Sequence, residues 1–140
     1  MRLLRTAIVV AALATGAVGV VGHAPVYLPT LPSGAPPIPD EETRVFGYAT
    51  LADPLVRLVV VGGPVRSQPA ALPGWRREGR DLIRDPEAVT EGRVFTVSPD
   101  GLRRLDRYEQ AGYRYHRTLK TLADGSEVWV YGLITPRGSR

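Results

Sequence analysis

The sequence predicts an α+β domain with a small mixed, mostly antiparallel, β-barrel-like sheet and two flanking helices. Three observations support this fold class. Extended segments outnumber helical ones within residues 44–134, two helices begin at their own capping signals, and no βαβ period repeats along the chain. The last two extended segments are joined through Asp124-Gly125, a dipeptide typical of tight hairpin turns.

A short strand and a short helix open the predicted domain. The strand covers Val45 to Tyr48, and a turn at residues 49–51 follows it. Asp53-Pro54 supplies a helix cap and a first-position proline, whose missing N–H has no partner to lose there. Gly62-Gly63 then ends the helix. The apolar residues expected to form its buried face are Leu55, Leu58 and Val59.

The remaining strands follow from extended stretches bounded by turn residues. Residues 65–71 and 75–83 are expected to be extended, with Pro73-Gly74 separating them. The other predicted strands are residues 92–97, which lead into the second helix, and residues 113–122 and 127–133, which form the hairpin.

The second helix has a well-defined start. Ser98 can accept a hydrogen bond from a free N–H group of the first turn, and Pro99 follows at the first helical position. Asp100 places negative charge at the positive end of the helix dipole. We expect Gly112, just beyond the helix, to adopt the left-handed conformation that ends it.

One carboxyl group shares the apolar face of this helix. Leu102, Leu105 and Glu109 follow one another at spacings of three and four residues, which places them on one side. Burial raises the pKa of a carboxyl group, and a raised pKa suits proton transfer near neutral pH. The spacing leaves an alternative open, in which Glu109 turns to solvent or pairs with Arg103 or Arg114.

Composition excludes several kinds of site. The 140-residue chain has no cysteine, so it has no thiolate nucleophile and no zinc–thiolate centre. Its two histidines are far apart in sequence, and we expect neither a metal nor another cofactor. The net charge is +4, but the basic residues, all arginine except Lys120, are spread among 14 acidic ones. We therefore expect no nucleic-acid partner.

The N-terminal residues carry the pattern of an export signal. Residues 1–22 combine Arg2 and Arg5 with a following apolar run, which predicts a signal peptide or a short membrane anchor. The domain would then lie outside the cytoplasm, in the periplasm or the extracellular space. The alternative is a misassigned start or a buried N-terminal helix, with a cytoplasmic domain. Residues 23–43 are rich in proline and predict a semi-rigid spacer, and residues 135–140 form a tail.

Four short segments of the domain carry a resemblance to a known family. Residues 46–54 are similar to a Tyr-Gly-Ser/Thr-Leu loop, and residues 69–77 to an Ala-x-Leu-Pro-Gly-Tyr-Arg segment. Residues 91–98 are similar to a Val-x-Gly-x-Leu/Val-Tyr strand, and residues 105–117 to the helix and strand around a catalytic glutamate. In this order the segments resemble the γ-glutamyl cyclotransferase-like superfamily, in particular its γ-glutamylamine cyclotransferase and AIG2-like branch. The match covers residues 45–131, nearly the whole domain.

The resemblance implies a fold and a set of site residues. The fold is a mixed β-barrel with flanking helices and a pocket at one mouth. Glu109 would be the catalytic acid and base. The residues implied in substrate binding are Tyr48, Ala49, Thr50 and Leu51, through backbone N–H groups, and Tyr115 as a pocket wall. For Tyr115 the alternative is an aromatic side chain packed in the sheet.

The reaction implied by the resemblance releases 5-oxoproline and an amine from a γ-glutamyl amide or peptide. The substrate's own α-amine attacks its γ-carbonyl carbon, so no enzyme nucleophile is required. The alternative function is a non-catalytic module that binds a small ligand on the same fold, tethered outside the membrane. A hydrolase that uses Thr50 or Ser98 with His116 is a third interpretation.

One position departs from the family pattern. Ala49 stands where the family usually has glycine after the tyrosine, and Gly47 precedes Tyr48 instead. If position 49 requires a positive φ, alanine there is strained by about 1 kcal/mol or more. The loop would then be reshaped, with a different substrate or no turnover.

Overall fold

A computed structural model describes residues 28–134 of the chain. The signal peptide or anchor predicted for residues 1–22 and the tail at residues 135–140 lie outside this range. Both stay predictions, as does the localisation inferred from the first. Within residues 28–134, no helix is both long and apolar enough to cross a membrane.

Strands dominate the described part of the chain. The strands are β1 (Thr43–Gly47), β2 (Ser67–Glu78), β3 (Asp81–Val97), β4 (Tyr115–Thr121) and β5 (Glu127–Leu133). The helices are α1 (Pro54–Val61) and α2 (Pro99–Glu109), and a short 3-10 turn (Thr50–Ala52) connects β1 to α1. The predicted α+β class with two helices is confirmed.

The strands form one mixed sheet in the order β2-β3-β1-β5-β4. Neighbours are antiparallel except β1 and β5, which are parallel. The sheet is not a closed barrel, which corrects the expected closure. Along residues 28–134 no strand ladder joins the edge strands β2 and β4; beyond β4, the Ala123 N–H donates to the Ala71 carbonyl oxygen at 3.0 Å. The long β2–β3 hairpin extends past the five-residue β1, so β3 pairs with β1 only over residues 93–97.

The β2–β3 hairpin is longer than predicted. The expected separation at Pro73-Gly74 is a bulge where the register shifts, and β2 continues to Glu78. Proline is tolerated there because β2 is an edge strand. On an edge strand, a residue whose N–H would point away from the sheet makes no ladder hydrogen bond, so proline loses none. The turn falls at residues 79–80, and β3 begins at Asp81 instead of residue 92.

Helix α1 buries a face other than the predicted one. Asp53 caps it by accepting a hydrogen bond from the Leu55 N–H at 2.8 Å, and Gly62 ends it, both as expected. Leu55, however, is 68% exposed, whereas Arg57 and Val60 are buried. The apolar pattern was misleading because the helix turns a charged residue inward, where it finds hydrogen-bond acceptors.

Helix α2 follows its capping signals closely. The Ser98 hydroxyl accepts a hydrogen bond from the Gly101 N–H at 3.1 Å, and Leu102 and Leu105 are fully buried. The left-handed residue that ends the helix is Gln110, with φ of 51°, and not the predicted Gly112. Gly112 also has a positive φ, of 88°, in the loop that follows.

Both faces of the sheet are covered, because successive residues of β1 enter different hydrophobic clusters. The cluster beneath the helices contains Val45 together with Leu51, Val60, Phe95, Val97, Leu102, Leu105, Ala111, Tyr115 and Tyr131. The second cluster, enclosed by the β2–β3 hairpin, contains Phe46, Tyr48, Leu72, Leu82, Val94, Leu122, Val128 and Val130. The end of β1 therefore lies at the boundary of both clusters.

The proline-rich segment contacts the domain in its described part. The Arg107 guanidinium donates to the carbonyl oxygens of Leu28 (2.8 Å) and Pro29 (2.7 Å), and Arg117 Nη2 donates to that of Pro37 (2.9 Å). Gly112 passes so close to the segment that a Cβ there would overlap backbone. From Leu28 onward, the chain is therefore held against α2 and β4.

Candidate active site

A narrow pocket lies at the end of β1 and is also lined by the last residue of α2. Its lining consists of Phe46, Gly47, Tyr48, Ala49, Thr50, Leu51, Arg80, Glu109, Tyr115 and Tyr131. The inner cavity measures about 20 Å³, room for about one water molecule. An adjoining outer cleft of about 180 Å³ shares Thr50, Arg80, Glu109 and Tyr115 with it and adds Tyr108 and Arg114. A ligand larger than water would therefore extend from the pocket into the cleft.

The turn after β1 folds back onto the strand it leaves. A Cβ at Gly47 would lie 2.7 Å from the carbonyl carbon and oxygen of Leu51, so glycine is required there for close approach. Ala49 has φ of −118°, outside the left-handed region, so the strain considered for alanine does not arise. The glycine before Tyr48 thus serves packing of the turn, and position 49 accepts a side chain.

The turn leaves backbone donors without partners. Its own hydrogen bonds run from the Ala52 N–H to the Ala49 carbonyl oxygen (3.0 Å) and from the Asp53 N–H to that of Thr50 (3.1 Å). Within residues 28–134, the N–H groups of Ala49, Thr50 and Leu51 donate to no protein acceptor. These donors belong to residues that line the pocket.

Glu109 lines the same pocket from the last turn of α2. Its side chain is buried, with 9% of the residue exposed, and in the described chain it makes no hydrogen bond or salt bridge. Burial raises the pKa of Glu109 from 4.5 to about 7, against a lowering by the guanidinium groups of Arg114 and then Arg80. The carboxyl group is thus able to gain or lose a proton near neutral pH.

Two tyrosines form the wall between Glu109 and the sheet. The Tyr48 hydroxyl lies 2.6 Å from the Tyr131 carbonyl oxygen and 3.0 Å from that of Arg80, which fixes the ring. Burial raises the pKa of Tyr48 and of Tyr115, and the Glu109 charge raises both further. Both phenols therefore stay protonated at neutral pH.

A buried ion pair supports α2 beneath this wall. Arg117 on β4 donates to both carboxylate oxygens of Asp106, from Nε at 2.8 Å and from Nη2 at 3.1 Å, and neither side chain is exposed. The Tyr131 hydroxyl donates to Asp106 Oδ1 at 2.6 Å. The Arg117 guanidinium also stacks over the Trp129 ring at 4.5 Å. The turn of α2 before Glu109 is thereby tied to β4 and β5.

The family described as "Gamma-glutamyl cyclotransferase, AIG2-like" matches residues 45–139, more than half of the chain. The chain belongs to this family. The resemblance inferred from the sequence motifs is confirmed.

Two solved structures share the fold of this gamma-glutamyl cyclotransferase, AIG2-like chain. Both are solution structures from Arabidopsis thaliana. At5g39720.1 is 28% identical, with a TM-score of 0.56, over 68% of this chain and 70% of its own. At3g28950.1 is 21% identical, with a TM-score of 0.58, over 74% of this chain and 70% of its own, and supports the fold alone. The search of curated proteins found no match.

The structure of this AIG2-like chain brings all six predicted site residues to one pocket. Glu109, the four turn residues 48–51 and Tyr115 line it together, whereas their roles stay predictions. The alternative of a solvent-facing or ion-paired Glu109 is not observed. The hydrolase residues are not assembled, because the Ser98 hydroxyl caps α2 and His116 is exposed on β4. Across residues 28–134, no group of three His, Asp or Glu side chains is placed to hold a metal ion.

The sequence interpretation missed several residues of the site region. Arg80 and Tyr131 line the pocket, Asp106 and Arg117 support α2, and Arg57 contacts the turn. Two signals could have indicated them. Asp106 directly follows a predicted core leucine, and Arg57 is a lone cation within the apolar sequence of α1. Arg80 and Tyr131 carry no such signal, because only the sheet order brings them to the pocket.

Proposed function

We propose that this protein is a γ-glutamyl cyclotransferase-type enzyme, which releases 5-oxoproline and an amine from a γ-glutamyl amide or peptide. One observation carries the proposal. The buried carboxyl group of Glu109 shares a pocket with residues 49–51, and within residues 28–134 neither that carboxyl group nor the N–H groups of those three residues have a hydrogen-bond partner. The family supports cyclotransferase chemistry in general.

The proposed reaction needs one group that first accepts and then donates a proton. Ionised Glu109 takes a proton from the substrate's α-ammonium group, and the free amine attacks the γ-carbonyl carbon. A carbon–nitrogen bond of the five-membered lactam forms, and the bond to the departing amine breaks. The attacking nitrogen loses its second proton as the lactam forms. The departing amine receives two protons in all, one returned by Glu109 and one from the attacking nitrogen, and leaves as an ammonium ion. Glu109 is then ionised again, and no proton is gained or lost overall. N–H groups of the turn donate to the oxyanion, at about 3–4 kcal/mol per donor measured in other enzymes.

The raised pKa of Glu109 makes the first proton transfer feasible. An α-ammonium group has a pKa of about 8. Transfer to a carboxylate with pKa 4.5 would cost about 5 kcal/mol, whereas transfer to one with pKa about 7 costs about 1.4 kcal/mol. The reactive state has an ionised Glu109 and a protonated α-ammonium group, so the two groups together carry one transferable proton. We therefore expect kcat/KM to rise through about pH 7 and to fall above about pH 8.

The charge around the cleft favours an anionic group on the substrate. Arg80 and Arg114 line the outer cleft, and both are exposed. Their guanidinium groups make no hydrogen bond or salt bridge to residues 28–134. Two guanidinium groups beside one cleft attract negative charge. A departing amine that carries a carboxylate should therefore bind there better than one that carries an additional positive charge. If the predicted export signal operates, the substrate lies outside the cytoplasm.

The proposal is tested by incubating the purified domain with a panel of γ-glutamyl amides and assaying 5-oxoproline. We expect release from at least one compound, abolished by Glu109→Gln. Glu87→Gln, at an exposed glutamate that lines neither the pocket nor the outer cleft, is the matched control and should keep full activity. No release from any panel member would contradict the proposal. Ligand binding without release would instead support the non-catalytic module.

A further inference from the structure

Arg57 is a buried cation next to the candidate site that the proposed reaction does not use. It lies in the middle of α1, surrounded in sequence by leucine and valine, and only 3% of the residue is exposed. Its Nε atom is buried without a hydrogen-bond partner among the described residues. A charged group in this position requires a physical reason.

The hydrogen bonds of Arg57 run to the turn between β1 and α1. One guanidinium nitrogen, Nη1, donates to the carbonyl oxygens of Leu51 and Ala52, both at 2.8 Å. The other, Nη2, donates to the Ser67 hydroxyl at 2.9 Å. The guanidinium also lies over the Phe95 ring, 5.4 Å from its centroid. The strongest directional contacts of this buried cation are thus two main-chain carbonyl groups.

No carboxylate neutralises this charge at contact distance. In the described chain Arg57 has no salt bridge; Asp53 acts on it from a distance, and the neighbouring Arg93 repels it. Burial is the main cause that lowers the pKa of Arg57, and Arg93 adds to it. Burying a cation among neutral acceptors costs free energy. An apolar residue would fill the same space at lower cost, so general packing does not account for arginine here.

The carbonyl groups that Arg57 holds complete the hydrogen bonding of the turn. The carbonyl oxygens of Ala49 and Thr50 accept from the turn's own N–H groups, and those of Leu51 and Ala52 accept from Arg57. Four successive peptide carbonyls are therefore fixed. Because each peptide unit is planar, fixing its carbonyl also fixes the direction of its N–H. The two peptides that Arg57 holds carry the N–H groups of Ala52 and Asp53, which donate to the Ala49 and Thr50 carbonyl oxygens. The peptides of those two carbonyls carry the N–H groups of Thr50 and Leu51, which have no acceptor within residues 28–134.

We infer that Arg57 is a positioning residue, which holds the 49–52 turn in place and thereby keeps its free N–H groups directed at the pocket. The role of those N–H groups in binding substrate oxygen rests on the proposed function. The fixing of the turn itself does not, because it follows from the hydrogen bonds. Both parts can be measured separately.

The experiment combines amide hydrogen exchange with ligand binding in three variants. Arg57→Met removes the charge and the donors, and Arg57→Lys keeps the charge without the forked donors. Arg93→Met is the matched control, because Arg93 shares the Ser67 hydroxyl with Arg57 at 3.1 Å but makes no bond to the turn. The exchange rates of the Ala52 and Asp53 amides report on the turn, and those of the β1–β3 ladder report on the whole fold. Binding is measured with 5-oxoproline as the probe.

For Arg57→Met we expect Ala52 and Asp53 to exchange at least ten times faster while the β1–β3 amides keep their rates. We expect 5-oxoproline to bind at least ten times more weakly. Arg57→Lys should show a smaller change at the same two amides, and Arg93→Met none. Unchanged exchange at the turn in Arg57→Met would overturn the inference. Faster exchange spread equally over turn and ladder in Arg57→Lys would also overturn it, because Arg57 would then serve the fold alone. Failure of the wild-type protein to bind 5-oxoproline would count against the proposed function and leave the exchange result to decide the role of Arg57.

Discussion

Asp106 and Glu109 lie one turn apart on α2 and experience opposite electrostatic surroundings. Both are buried. Asp106 is held by Arg117 and by the Tyr131 hydroxyl, whereas Glu109 has no such partner in the described chain and its pKa is raised to about 7 by burial. One carboxylate therefore fixes the helix to the sheet, and the other is available to exchange a proton at the pocket.

The raised pKa of Glu109 predicts a pH-dependent stability difference. The folded protein holds the Glu109 proton more tightly than the unfolded chain, so the free energy of unfolding falls as pH rises from 4.5 to about 7. The Glu109→Gln variant has no carboxyl group to ionise at this position, so its free energy of unfolding does not fall for this reason. We expect equal stability of the two proteins near pH 4 and a more stable variant above pH 7.5, by up to about 3 kcal/mol. Urea unfolding across this range measures it, and a pH-independent difference would contradict the assignment.

The two arginines of the outer cleft should lower the pKa of the Glu109 carboxyl group. Arg114 and, to a smaller extent, Arg80 lower the pKa of Glu109. We expect Arg114→Met to raise that pKa further, and Arg80→Met to raise it less, as read from the acidic limb of the kcat/KM profile. Arg103→Met is the control, because the Arg103 guanidinium pairs with Asp100 on the exposed side of α2. Equal shifts in all three variants would exclude a specific effect of the cleft.

The buried ion pair beneath the pocket should be costly to break from one side. Arg117→Met leaves the Asp106 carboxylate buried without its cation, and we expect a loss of about 3–5 kcal/mol in the free energy of unfolding. Tyr131→Phe removes one hydrogen bond to the same carboxylate and should cost about 1.5–3 kcal/mol. Chemical denaturation measures both. A double variant that combines Arg117→Met with Asp106→Asn should recover part of the loss, and simple additivity would argue against coupling.

Gly47 should tolerate no side chain. A Cβ there would meet the backbone of Leu51 at 2.7 Å, which rotation of a side chain cannot relieve. We expect Gly47→Ala to lower the free energy of unfolding by about 1–3 kcal/mol and to reduce 5-oxoproline release by displacing the turn. Gly63→Ala is the matched control, because a Cβ there meets nothing within 4 Å. Similar effects of the two substitutions would contradict the proposed close approach.

Local signals in the sequence were sufficient for the elements that carry the site. The cap at Ser98 and the spacing of Leu102, Leu105 and Glu109 predicted α2 and its inward carboxyl group, because capping and helical periodicity are properties of neighbouring residues. Asp124-Gly125 likewise predicted the β4–β5 hairpin.

The remaining features depend on tertiary contacts that periodicity does not encode. The inward face of α1 was mispredicted because Arg57 is buried through hydrogen bonds to a turn that precedes it in the chain. The open sheet and the long β3 could not be read from alternation, since β3 pairs with two strands of very different length. Arg80 reaches the pocket only because the β2–β3 turn folds next to β5, where Asp81 Oδ1 accepts from the Leu133 N–H at 2.9 Å.

The most direct test of the account is an NMR titration of the Glu109 carboxyl carbon, assigned by its absence in Glu109→Gln. We predict an apparent pKa near 7, set by burial in a pocket without a hydrogen-bond partner. An apparent pKa near 4.5 would show a solvated or paired carboxylate and would contradict the proposed role of Glu109 as acid and base.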